Sequence, residues 1–192
     1  MIQMEKYSLL KQIVPSSLCL VCDVCCRFPE EESPLSPYFT GEEIGFMTAL
    51  ERQNLPVDTR VQGRGKVRPI PHGEGCICPY FDPTTHFCRI YSKRPLDCRI
   101  YPFAIMRDLE GSIVLGIDTK CPFIMEHAEE IQGGNTQEGN TINEIVDFLE
   151  SDSILQVFTA NPAFVGSYQE DVIILHPLRR LNAAMAVLPS TA

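Results

Sequence analysis

No run of apolar residues in this chain approaches the ~20 that a membrane-spanning helix needs, so the sequence predicts no membrane association. The N-terminal stretch MIQMEKYSLLKQIVPSS is broken by Glu5, Lys6, Lys11, Gln12 and Pro15. It lacks the uninterrupted apolar segment of a secretion signal, which predicts a cytoplasmic location. Positive charge is also scarce: 16 Lys and Arg stand against 25 Asp and Glu, a formal net charge of −9. That balance argues against nucleic acid as a partner, because binding phosphates draws on a surplus of basic side chains. Neither an internal repeat nor a low-complexity segment is present, which sets aside solenoid and compositionally biased classes.

What the chain does have is cysteine, nine in 192 residues, at 19, 22, 25, 26, 76, 78, 88, 98 and 121. Disulfide frameworks belong mainly to small exported domains, and an odd count leaves one thiol over. In a reducing compartment, metal binding or redox chemistry is the expected use. A Cys-x-x-Cys step lets two thiolates converge on one metal while the turn between them aims backbone N–H groups at the sulfurs. The step occurs twice in succession in CLVCDVCC, Cys19 to Cys22 and Cys22 to Cys25. That is the spacing of the first three ligands of a bacterial ferredoxin run. The run is incomplete, since Pro29 stands where its fourth cysteine falls, but Cys78-Pro79 and Cys121-Pro122 follow downstream.

Adjacent side chains diverge unless the backbone turns sharply, so Cys25 and Cys26 are expected to serve two sites or to make one sulfur a bridge. Two four-thiolate sites use eight thiols, and Cys76 is the candidate for the ninth, as a small buried apolar residue. The N-terminal group is then knitted to CICPYFDPTTHFCRIYSKRPLDC and to Cys121. Either Zn²⁺ or a 4Fe–4S cluster held by four thiolates carries a net negative charge, which needs donors and cations around it. The window from Arg60 to Arg99 supplies them: it carries a net charge of +5, against −14 for the rest of the chain. Arg89, Arg94 and Arg99 are the candidate partners of the bound group. His72 and His86 are weighed as ligands, but their loop surroundings suit ordinary exposed histidines better. His127 and His176 read as helix or capping residues, and Tyr91 reads as core.

Along the chain, FTGEEIGFMTALERQ opens with a capping box, Thr40 to Glu43, and spaces Ile44, Met47 and Leu50 on one helical face. Residues 54–75, rich in Gly and Pro, read as an irregular loop. YPFAIMRD and SIVLGID form a predicted β-hairpin. PFIMEHAEEI is a short helix with Pro122 in its first turn. QGGNTQEGN is a polar loop, and TINEIVDFLESDSILQVF restarts a helix at a second capping box, Thr141 to Glu144. A last helix runs from about Leu178, with Pro177 at its start. The fold class is α+β: a small, metal-stapled, loop-rich domain over residues 1–130 with a β-hairpin and several helices. A helical C-terminal extension, residues 131–192, packs on it as part of one structural unit, and its acidic helices are a candidate docking face for a protein partner.

The order Cys19-x-x-Cys22-x-x-Cys25-Cys26, then Cys78-Pro79-Tyr80-Phe81-Asp82, then Cys88-x-x-Tyr91-x-x-Arg94-Pro95-x-x-Cys98-Arg99 and Cys121-Pro122, resembles the YkgJ-type cysteine-cluster family of zinc- or iron-chelating domains. The resemblance spans residues 19 to 122. It implies a cytosolic protein in which Cys19, Cys22, Cys25, Cys26, Cys78, Cys88, Cys98 and Cys121 bind metal, with Cys76 outside the pattern. The cofactor is then an iron–sulfur cluster, which the ferredoxin-like spacing favours, or Zn²⁺, in a structural, redox or sensing role. The family also includes chains similar to flagellin lysine N-methylases. This sequence has no glycine-rich S-adenosylmethionine loop after a strand, and Gly63–Gly65 lie in a loop. A protein-modifying enzyme is therefore the alternative reading, beside a metal-handling adaptor.

Overall fold

A computed structural model of the chain describes residues 10, 12–33, 35–51, 56–58, 64–132 and 137–187. The fold is mixed α+β, as the sequence predicts, with seven α-helices and several small antiparallel sheets among the described residues. The chain divides into two compact units. The N-terminal unit is Pro15–Arg99; the C-terminal unit is Ile100–Ala192 with the residues up to Val14.

Elements of the N-terminal unit are short. Helix α1 (Ser16–Cys19) and a 3-10 turn (Val24–Cys26) lead into β1 (Arg27–Phe28), β2 (Tyr38–Thr40) and helix α2 (Gly41–Glu51). Strands β3 (Val57–Asp58), β4 (Arg64–Val67), β5 (Ile70–His72), β6 (Gly75–Ile77), β7 (Phe81–Asp82) and β8 (Phe87–Cys88) follow, and α3 (Leu96–Ile100) ends the unit. They make antiparallel sheets in the orders β1–β6–β5 and β2–β4–β3, with β7 and β8 as a separate pair. Helix α2 starts where its capping box predicts: the Glu43 N–H donates to Thr40 Oγ1 at 3.1 Å, and the Thr40 N–H donates to Glu43 Oε2 at 2.8 Å. Met47, 1% exposed, comes from its apolar face and joins Phe28, Phe39, Val67 and Ile77 in the core. Burying a side chain of that size stabilises by about 1.5–3 kcal/mol.

The irregular loop expected at 54–75 is corrected by β3, β4, β5 and the start of β6; residues 54–55 and 59–63 lie outside those described. These strands hold two to four residues each. Such lengths leave no room for an alternating pattern, and pairing instead rests on turns such as the one at Gly73, whose φ of 62° suits glycine.

The C-terminal unit carries the predicted hairpin, β9 (Phe103–Arg107) and β10 (Ile113–Asp118). Its turn is built by Asp108, whose Oδ1 accepts from the Ser112 N–H at 2.7 Å, and by Gly111 at φ 86°. Helices α4 (Pro122–Gln132), α5 (Gln137–Leu149) and α6 (Asp152–Ala160) follow, then β11 (Val172–Pro177) and α7 (Arg179–Ala186). Strand β10 is central, in the order β11–β10–β9, and buried along its whole length. A Cβ at Gly116 would overlap Val172 Cγ1, so glycine lets β11 approach where the register shifts between Leu115 and Gly116. Asn182 fixes α7 to β10: its Oδ1 accepts from the Ile113 N–H and its Nδ2 donates to the Ile113 carbonyl, both at 2.8 Å.

Three expectations are corrected here. Helix α5 begins at Gln137, upstream of Thr141, whose side chain lies outside the described set, so residues 137–140 of the expected polar loop are helical. The single helix expected over 141–158 is two, because Ser151 is extended and starts α6 afresh. His176, expected in a helix or cap, lies on β11, which inserts a strand into the helical end. His127 does sit in a helix, α4, stacked on Phe123 at 4.3 Å between ring centroids.

Candidate metal centre

Strand pairing brings three distant cysteine segments together. Strand β1 pairs with β6 in the register Arg27↔Ile77 and Phe28↔Cys76, and just beyond it the Cys78 N–H donates to the Cys26 carbonyl at 2.8 Å. The next turn, Cys78-Pro79-Tyr80-Phe81, feeds β7, where Phe81 pairs with Cys88 of β8. The Arg89 N–H closes that turn on the Tyr80 carbonyl at 2.9 Å. Cys26, Cys78 and Cys88 are thus neighbours because a ladder makes them so, and α3 brings Cys98 to the same group, where its thiol is under the influence of Cys78, Cys25 and Cys88.

Cys25 and Cys26 lie on the 3-10 turn Val24–Cys26, and their sulfurs hydrogen-bond to each other. The tight turn supplies the sharp bend that adjacent cysteines need to face one place. Cys25, Cys26, Cys78, Cys88 and Cys98 therefore share one electrostatic neighbourhood. Cys25 is exposed, Cys78 is buried, and the other three are half-buried. Cys19, at the end of α1, and Cys22, in the loop after it, are also half-buried. Cys121 belongs to the C-terminal unit, where it is buried and its carbonyl accepts from the Met125 N–H at 3.0 Å at the start of α4. Cys76 is buried on β6 within the apolar cluster.

The thiols divide by charge preference. Cys26 is pushed far up, first because it donates to Cys25 and then by burial. Burial pushes the Cys78 thiol up to about 12 and raises Cys88 and Cys98 as well, and each is raised further by the other thiols. Cys25 goes the other way: the Cys26 S–H donates to it and the Arg94 guanidinium faces it, so it is the sulfur that ionises first.

Backbone N–H groups also point at sulfur, those of Tyr80 and Phe81 at Cys78 and that of Ile90 at Cys88. Such turns stabilise a thiolate and are the second-sphere support that metal-bound sulfurs use. Among the described residues, no three Cys, His, Asp or Glu side chains converge closely enough to hold an ion as they stand. The donor set nonetheless has the chemistry of a soft-metal site: crowded thiols, aimed N–H groups and nearby guanidinium groups.

The three predicted arginines take different places. Arg94 lies over the Tyr91 ring at 3.8 Å and acts on both Cys25 and Cys88. Arg89 donates to the Pro79 carbonyl and acts on Cys88. Arg99 donates to the carbonyls of Arg94 at 2.7 Å and Ser92 at 2.8 Å, closing the loop that presents Arg94. His72 and His86 are exposed, with His86 Nδ1 3.6 Å from Asp23 and its backbone at φ 59°. Sequence reasoning missed a second use of Glu43, whose other oxygen accepts from the Leu96 N–H at 2.8 Å. The capping box flags Glu43, but a partner 53 residues away leaves no local signal.

No helix among the described residues is long and apolar enough to cross a membrane. Comparison with curated proteins gave no match, and neither did comparison with solved structures. The family model CxxCxxCC, described as "Putative zinc- or iron-chelating domain", matches residues 18–132, and the chain belongs to that family.

Proposed function

We propose that the N-terminal unit holds a metal through cysteine thiolates and that the bound group staples its short elements together. The reading is carried by one observation: strand pairing and α3 gather five thiols from distant segments, and four of them, Cys26, Cys78, Cys88 and Cys98, are held neutral by burial and by the neighbouring thiols. A cation relieves that crowding, and its binding releases protons from thiols that are otherwise held neutral. Cys25, Cys26, Cys78, Cys88 and Cys98 are the proposed ligands, with Cys19 and Cys22 on the adjoining segment. The ferredoxin-like spacing of Cys19, Cys22 and Cys25 favours an iron–sulfur cluster over zinc. When bound, such a cluster supplies one-electron chemistry, and zinc supplies a fixed cross-link. Arg94 and Arg89 offset the negative charge, and Cys25, which Cys26 and Arg94 draw toward its thiolate, suits a redox or sensing role.

The test is metal and sulfide analysis, with an absorption spectrum, of protein purified without oxygen. Iron with sulfide and a broad visible band supports the cluster. Colourless protein holding zinc supports a purely structural or sensing site. Cys78→Ser is expected to lose the metal while Cys76→Ser keeps it. Folded protein that holds no metal under reducing conditions overturns the reading.

A further inference from the structure

Cys98 and Arg99 ride on α3, a helix of five residues. A helix this short does not hold its direction by its own hydrogen bonds, so something outside must orient it. Two carboxylates do. Glu43, 6% exposed, accepts from the Leu96 N–H through Oε1 and from the Thr40 N–H through Oε2, each at 2.8 Å. In return Asp97 Oδ2 accepts from the Tyr38 N–H at 2.8 Å. Each segment thus gives a carboxylate to a backbone N–H of the other, and the clasp joins the β2–α2 junction to the first turn of α3.

We propose that Glu43 is a positioning residue for Cys98, fixing the sulfur's place in the thiol group through the Leu96 N–H; its relevance to metal rests on the function proposed above. Both oxygens are needed. A glutamine at this position has one acceptor for two facing N–H groups and turns an NH₂ toward the other, which leaves a buried donor unpaired. Thr40 gives an internal contrast. Its Oγ1 serves only the other half of the capping box, the Glu43 N–H at 3.1 Å, so removing it weakens the start of α2 without releasing Leu96.

The experiment uses the full chain and two readouts. In metal-free, reduced protein, the alkylation rate at Cys98 is measured by mass spectrometry relative to that at Cys76. Glu43→Gln is expected to raise this ratio about tenfold, as loss of one charge-assisted hydrogen bond predicts, and Thr40→Ala to leave it unchanged. In protein loaded with Co²⁺, Glu43→Gln is expected to lower the thiolate-to-cobalt absorption per bound ion by about a quarter, one ligand in four. An unchanged ratio, a parallel rise at Cys76, or an equal effect of Thr40→Ala overturns the positioning role. If the unsubstituted protein shows no thiolate-to-cobalt band and holds neither iron nor zinc when purified without oxygen, the metal reading fails, and the alkylation ratio still decides the role of Glu43.

Discussion

In the C-terminal unit the strands run five or six residues and β10 is buried at every position. In the N-terminal unit they run two to four residues, and eight of the nine cysteines lie there. The first is an ordinary hydrophobic assembly, in which Leu115, Ile117, Ile124 and Phe158 are fully shielded and periodicity decides the elements. The second has a core of its own, but part of that core is sulfur: Cys26, Cys78 and Cys88 border the same cluster as Phe39 and Met47. Small units with few long elements commonly add a covalent or metal cross-link to their hydrophobic burial. On the function proposed above, the contrast locates the coupling of metal binding to folding in the N-terminal unit.

The largest effect expected from that contrast comes from removing the metal. Stripping it under reducing conditions should speed amide exchange at Val67 and Ile77 by about a hundredfold or more, because binding energy at such a site is folding energy. Leu115 and Ile117 should keep their protection. Equal loss at both sets of amides breaks the comparison. The converse substitution comes next. Leu115, 0% exposed at the centre of β10, should cost about 2–5 kcal/mol when replaced by alanine. Metal content should stay unchanged, and denaturant unfolding followed alongside metal analysis checks both statements.

Legibility in the sequence follows the same division. The hairpin, the α2 capping box and the start of α4 at Pro122 were readable because each has a local cause: two short apolar runs flanking the Leu109-Glu110-Gly111 break, a Thr-to-Glu spacing, a fixed φ. The strands between 57 and 77 were not, since two to four residues carry no period. The grouping of Cys26, Cys78 and Cys88 depends on the β1–β6 and β7–β8 ladders, so spacing names the thiols without showing how they meet. Cys25 and Cys26 were expected to serve two sites or to make one sulfur a bridge, and the 3-10 turn on which their sulfurs hydrogen-bond has no marker in CLVCDVCC. Glu43 was legible as a cap and illegible as a clasp, because its second partner, Leu96, lies 53 residues away in the chain.

The smallest effect expected concerns the other carboxylate of that clasp. Burial first, and then the charge of Glu43, raise the carboxyl of Asp97 from 3.8 to about 6, against the Tyr38 N–H and Lys66, which favour its ionised form. A carboxylate raised on folding contributes stability that is complete below its unfolded pKa and is lost as pH rises through the folded one. For Asp97 the loss begins above 3.8 and is nearly finished once the pH passes about 6. Asp97→Asn keeps a carbonyl oxygen for the Tyr38 N–H and removes the charge. Its unfolding free energy from urea titration should therefore gain on that of the unsubstituted protein as pH rises, by about 1–1.5 kcal/mol between about pH 5 and about pH 7.5. Asp82 titrates in the opposite sense, lowered by the Thr84 N–H, and contributes stability that disappears only as the pH falls below 3.8. The two groups act in different windows, so a pH-independent difference between the variant and the unsubstituted protein would show that Asp97 is not the raised, Glu43-coupled acid of the clasp.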